Sequence, residues 1–241
     1  MSDARDDADR YAAWKGWGQL FVCNADDAEY FAGETHRCAI AGADVLEIGF
    51  GAGAFLAYAR ARGAHVCGAE IDPKLQAAAS AAGFPTLDAD LSKCAGTTAF
   101  DTIVAFDVFE HLERDAALAA LDACARLLRP GGHLLLRFPN AQSPLGLAAQ
   151  HGDPTHRLAL SKAWFSYHLG ARPFEIVHYA GAYAIRGGGP ARRLVRFLRR
   201  VARSMIALGV AAIYAQDVPF DPVVTLILRR REGNAAESFE P

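Results

Sequence analysis

No C-x-x-C pair occurs in this 241-residue chain: its five cysteines, Cys23, Cys38, Cys67, Cys94 and Cys124, stand singly. Lone cysteines exclude a disulfide framework or a thiolate zinc site and indicate reduced thiols in a reducing compartment. An excess of one charge is also missing; the formal net charge is -2, so no global field draws the chain to nucleic acid. Long hydrophobic runs are absent too. The longest, Met205 to Ala215, falls far short of the ~20 residues that span a bilayer. The start, Met1-Ser2-Asp3-Ala4-Arg5-Asp6-Asp7, is acidic where a secretory leader needs a basic start and an apolar run, so the expected location is cytoplasmic. No internal repeat is visible.

What is present is an ordinary globular composition, 52% hydrophobic and 22% charged, at a length that one domain can fill. From Asp44 onward, short β-branched runs alternate with alanine- and leucine-rich helical segments, the pattern of a parallel sheet covered by helices. Strands are expected at 44–48, 65–70, 85–87, 101–106 and 133–138, with helices at 52–62, 73–82 and 115–128 between them. Asp72 before Pro73 reads as an N-cap, Gly63 and Gly83 as helix stops, and Pro130-Gly131-Gly132 as a turn. Beyond Pro139-Asn140 the chain turns polar and irregular to about 172, as a substrate-side insertion would. Two more strands, 174–179 and 223–228, flank a long basic helix, and a disordered tail starts near Glu232. The expected organisation is an N-terminal helical cap (1–43), a cofactor core (44–139), a segment with the insertion, basic helix and last strands (140–231), and the tail (232–241).

The loop Glu47-Ile48-Gly49-Phe50-Gly51-Ala52-Gly53 leaves the first strand and opens a helix. Glycines there let the backbone turn tightly and a ligand approach the amides of the helix start. Taken alone they suit a dinucleotide equally, because Gly49-x-Gly51-x-x-Ala54 meets that pattern as well. Glu70, ending the second strand, would accept both hydroxyls of a ribose in either case. Glu47 separates the two. An acid two residues before the loop repels pyrophosphate and suits a cationic ligand carrying a sulfonium and an ammonium group.

Residues 45–53 resemble motif I of the class I S-adenosylmethionine-dependent methyltransferases, and four later pieces follow in that family's order. They are Gly68-Ala69-Glu70-Ile71-Asp72, Asp88-Ala89-Asp90-Leu91, the stretch from Phe100 through Asp107-Val108-Phe109-Glu110-His111-Leu112, and Leu127-Leu128-Arg129-Pro130-Gly131-Gly132 with the strand after it. The resemblance covers 44–139 and implies an α/β, Rossmann-like seven-stranded sheet with helices on both faces and the last strand antiparallel. It implies S-adenosyl-L-methionine as cofactor, with Gly49, Phe50, Gly51 and Gly53 around the methionine portion. Glu70 and Ile71 would lie at the ribose, Asp90 and Leu91 beside the adenine, and Phe106 and Asp107 near the ammonium group. Asp90 also reads as a loop N-cap, a role that Asp88 could share.

Methyl transfer to a hydroxyl requires alignment, exclusion of water and a proton acceptor. His156, in His151-Gly152-Asp153-Pro154-Thr155-His156-Arg157, is the expected base, with Asp153 as its orienter or a substrate ligand. His111 is the second candidate, and its plainer reading is a capping or packing residue at a helix start. Residues 138–176 resemble the tails of methyltransferases that accompany bacterial polysaccharide and lipopolysaccharide genes, which implies a sugar hydroxyl on a glycan or glycan precursor as acceptor. His151, Asp153 and His156 could ligate a divalent metal, but their spacing matches no metal motif, and no metal is assigned.

Arg192, Arg193, Arg196, Arg199, Arg200 and Arg203 fall on one side of the basic helix; Leu194, Phe197, Leu198, Val201, Met205 and Leu208 fall on the other. The plainer expectation is a surface helix whose apolar stripe covers the sheet; the sharper one is contact with anionic lipid or a phosphate-bearing acceptor. Trp14, Trp17, Phe21, Tyr30 and Phe31 form either a lid over the cofactor or a core-covering helix. The leading expectation is sugar O-methylation. Its alternatives are methylation of a small quinone or secondary metabolite, an NAD-dependent oxidoreductase, and a non-catalytic S-adenosylmethionine-binding scaffold.

Overall fold

A computed structural model describes residues 18–94, 100–170, 172–214 and 219–232. Trp14, Trp17 and the tail from 233 onward lie outside the described residues. Seven strands, β1 (Asp44–Ile48), β2 (His65–Ala69), β3 (Thr86–Leu87), β4 (Phe100–Phe106), β5 (Leu128–Pro139), β6 (Phe174–Gly181) and β7 (Val223–Arg230), form one sheet in the order β3-β2-β1-β4-β5-β7-β6. The first five are parallel; β7 runs antiparallel between β5 and β6.

Helices α2 (Ala54–Arg60) and α3 (Pro73–Ala81) pack one face of the sheet, α4 (Arg114–Leu127) and α6 (Lys162–Leu169) the other. The sidedness follows from strand alternation: Val45, Val66 and Val104 point to Phe55, Leu56 and Leu75, whereas Leu46, Ile103 and Leu134 point to Leu121, Cys124 and Phe165. Because both faces are covered, the central strands read as continuous apolar runs. An N-terminal helix, α1 (Ala25–Glu34), begins at a capping box in which Asn24 and Asp27 exchange side-chain-to-backbone bonds of 2.9 and 3.1 Å.

Three expectations are corrected. The Pro130-Gly131-Gly132 turn lies inside β5, as an irregularity between the pairs Phe100–Leu128 and Thr102–His133, because Gly131 at φ +79° bends the strand without ending it. The segment from 140 to 172 is not uniformly irregular. It holds a 3-10 turn at Pro144–Gly146, the short helix α5 (Leu147–His151) and α6. The basic helix α7 (Pro190–Tyr214) forms as expected, but its apolar stripe does not cover the sheet: Leu194, Phe197, Leu198, Val201, Met205 and Leu208 are all exposed.

Candidate active site

The glycine loop sits at the carboxyl end of β1, in the middle of the sheet, where open α/β sheets bind ligands. Gly49, Gly51 and Gly53 adopt φ of +66°, +49° and +70°, a region that side chains make costly. Gly53 N-caps α2, and a Cβ there would lie 2.2 Å from the Phe21 ring, which rests on the loop; the Phe21 amide also donates to the Ala52 carbonyl at 2.7 Å. The Phe50 ring turns away into the core, filling the space beside Gly68, so only its backbone faces the loop.

Glu70 closes the loop from β2. One carboxylate oxygen accepts the Gly51 amide at 3.0 Å, the other the amides of Ile71 and Asp72 at 2.7 and 3.3 Å. Oε2, which accepts only the Gly51 amide, keeps a second lone pair that a ribose hydroxyl can use. Ile71 beside it is 83% exposed, an apolar surface at the rim on which a planar base can lie. Glu47 is buried beneath the loop. The Leu56 amide donates to its carboxyl, but Oε2 has no hydrogen-bond partner among the described residues. Burial first, and then the nearby Glu70 charge, push its pKa well above the ordinary range. A buried acid with one oxygen unpaired fits a ligand that brings a positive charge to the loop.

Asp90 caps the 3-10 turn Leu91–Lys93, accepting from the Ser92 amide and hydroxyl and pairing with Lys93 at 3.3 Å, so the capping alternative is observed. Asp88 in turn accepts the Asp90 amide, and the Leu91 side chain is core. Asp107 holds a left-handed φ of +55° just past β4 and pairs with Arg137 of β5 at 2.8 Å; Arg137 also donates to the Tyr30 hydroxyl. Phe106 stacks with Phe31, Phe55 and Tyr30. Tyr30 and Phe31 therefore cover the core, while Phe21 alone among the described N-terminal aromatics touches the glycine loop.

The two histidines come together. Backbone amides of Arg157 and Leu158 both donate to the Glu110 carbonyl, which lays the 153–158 loop against the turn Phe109–His111. The His111 and His156 rings meet edge to face at 4.6 Å. Asp153 does not hydrogen-bond His156, whose Nε2 lies 3.8 Å from its carboxylate; it orients His111 instead, through Thr155. The Thr155 hydroxyl is 2.5 Å from Asp153 Oδ1 and 2.9 Å from His111 Nδ1. Since the hydroxyl proton goes to the carboxylate, His111 donates from Nδ1, which fixes its tautomer. The carbonyl of Gln150 fixes His156 in the same tautomer by accepting from its Nδ1 at 2.9 Å.

His156 Nε2 lies 3.9 Å from the buried Glu110 carboxyl. Glu110, His111 and His156 offer ligand atoms within 4.8 Å of one another, a set that could hold a divalent cation. It differs from the triple weighed from the sequence, for His151 is exposed at the end of α5. Thr155, Glu110 and Gln150 carry roles that sequence reading missed. The adjacency of Glu110 to His111 was the one available signal.

A family model described as "Methyltransferase domain" matches residues 23–182. The chain is 27% identical to a ubiquinone biosynthesis O-methyltransferase of Xylella fastidiosa (strain M23) over 190 residues, 73% of this chain and 76% of that one. A protein of the same name from Aromatoleum aromaticum is 28% identical over 58% of this chain and 62% of its own length. Among solved structures, an S-adenosylmethionine-dependent methyltransferase from Mesorhizobium loti superposes with a TM-score of 0.59 at 18% identity, covering 84% of this chain and 98% of that one. The 1,6-didemethyltoxoflavin-N1-methyltransferase of Burkholderia thailandensis does so at 0.57 and 17%, covering 96% and 87%.

Proposed function

The chain belongs to the methyltransferase-domain family and is an S-adenosylmethionine-dependent methyltransferase; from that premise we propose that it O-methylates a phenol-type hydroxyl on a small molecule of the quinone class. The oxidoreductase alternative falls with the family, and the scaffold alternative loses its ground. The relatives are small-molecule O-methyltransferases by name, and none speaks for a glycan acceptor, so the runner-up expectation replaces the leading one.

The observation that carries the reading is the pair of oriented imidazoles. A phenol, at ~10, gives up its proton to a neighbouring base far more readily than an alkyl alcohol does. S-adenosylmethionine, when bound, supplies the methyl group on a sulfonium that leaves as a neutral thioether. Gly49 to Gly53 and Glu70 would hold it, with Glu47 beneath as counter-charge. The His111–His156 pair takes the acceptor's hydroxyl proton, with Asp153 and Thr155 holding the Nδ1–H of His111. His156 stands beside it as the second proton acceptor.

Methyl transfer to catechol-type acceptors tests this, with His111→Ala and His156→Ala compared. The proposal expects one or both to lose turnover with S-adenosylmethionine affinity intact; full turnover in both would end it. The Glu110, His111, His156 cluster favours one second reading, in which a divalent cation bound there lowers the hydroxyl's pKa instead. Loss of activity on chelation, restored by a single metal, would favour it.

A further inference from the structure

We infer that α7 docks the protein on a lipid bilayer bearing anionic headgroups, with its apolar face laid into the interface. Helices in a folded chain normally turn their apolar stripe to the core, and here the reverse holds. Leu194, Phe197, Leu198, Val201, Met205 and Leu208 share one face and are 58, 52, 55, 41, 69 and 72% exposed. The opposite face is the one tied to the body. Arg196 pairs with Asp26 of α1 at 2.8 Å and donates to the Gly187 carbonyl, and Arg203 pairs with Asp221. Glu29 of α1 accepts the amides of Arg186 and Gly187, fastening the segment that leads into the helix. The outward orientation is therefore built in by side chains of another element.

Charge selects the occupant. Between Pro190 and Tyr214 there are six arginines and no acid, in a chain whose net charge is -2. Arg193 and Arg200 flank one border of the apolar stripe, which puts their guanidinium groups at headgroup level when the stripe is submerged. Two copies of this face pressed together would instead bring their arginine rows into register, with no acid on the helix to relieve them. At 25 residues the helix is about 38 Å long, enough to lie flat on a bilayer. It does not cross one, since no described helix is long and apolar enough to do so.

β6 runs parallel to β1, because both β5 and β6 are antiparallel to β7, so the chain leaves β6 toward α7 at the same carboxyl end of the sheet that carries the glycine loop.

Vesicle flotation of the full chain tests the inference. Binding is expected to phosphatidylglycerol-containing vesicles at low salt, with little to phosphatidylcholine alone, and binding should fall as salt rises. Arg193→Glu with Arg200→Glu should weaken it about tenfold or more; Phe197→Ser, Leu198→Ser and Met205→Ser together should abolish it. Calorimetry with S-adenosylmethionine on the same preparations reports that these surface variants are folded. Absence of binding to anionic vesicles, or binding unchanged by the arginine reversals, would overturn the inference. So would a dimer in sedimentation that the serine variant dissociates. The readout does not depend on the acceptor, so failure here and failure of the O-methylation reading are separable.

Discussion

At Glu47, burial and charge pull in opposite directions. Burial raises the pKa, so the protonated form is favoured without a ligand, and that stabilisation is present at low pH and lost as pH rises through the raised value. A cationic ligand reverses the preference and expels the proton. Glu47→Gln should therefore raise the ligand-free melting temperature at pH 8, converge with the parent below pH ~4.3, and weaken S-adenosylmethionine binding by about tenfold. Melting scans across pH, paired with calorimetry, check both halves. Thr155 supports a second test. Thr155→Val removes the link from Asp153 to His111 and should lower kcat by about 10- to 100-fold with cofactor affinity unchanged, while Thr155→Ser restores it. A shift of the His111 tautomer in nitrogen NMR would mark positioning and not general damage. Glu47 and the glycines were legible because they adjoin one strand end. Thr155 was not, because its partner is 44 residues away.

At the level of elements, periodicity located every strand and the helices between the first five of them, since burial on two faces writes itself into the residues, but not α5 and α6. Gly53 shows the local limit of tolerance. Gly53→Ala places a Cβ in a left-handed backbone against the Phe21 ring and should cost at least about 1–2 kcal/mol in urea unfolding. The amphipathic pattern of α7 told which face is apolar but not which way that face points. That depends on Asp26, Glu29 and Asp221, whose bonds to the helix and to the segment leading into it no periodicity reveals. Asp26→Ala should loosen the first turns of α7, seen as faster amide exchange over 190–200 with the sheet unaffected.

Over the whole molecule, the ordered motifs from Glu47 to Gly132 foretold the sheet, and the family match to residues 23–182 agrees with them. The acceptor was far less legible. A loop of His, Asp and Thr is compatible with a sugar or a phenol, and the difference lies in groups brought together only by folding, such as Glu110 against His156. The most direct test follows isotopically labelled methyl from S-adenosylmethionine to a catechol-type acceptor and to a glycan precursor. A labelled aryl methyl ether is expected, with none formed by the His111→Ala, His156→Ala double variant. Label on the glycan alone, or an aryl ether formed at full rate by the double variant, would contradict it.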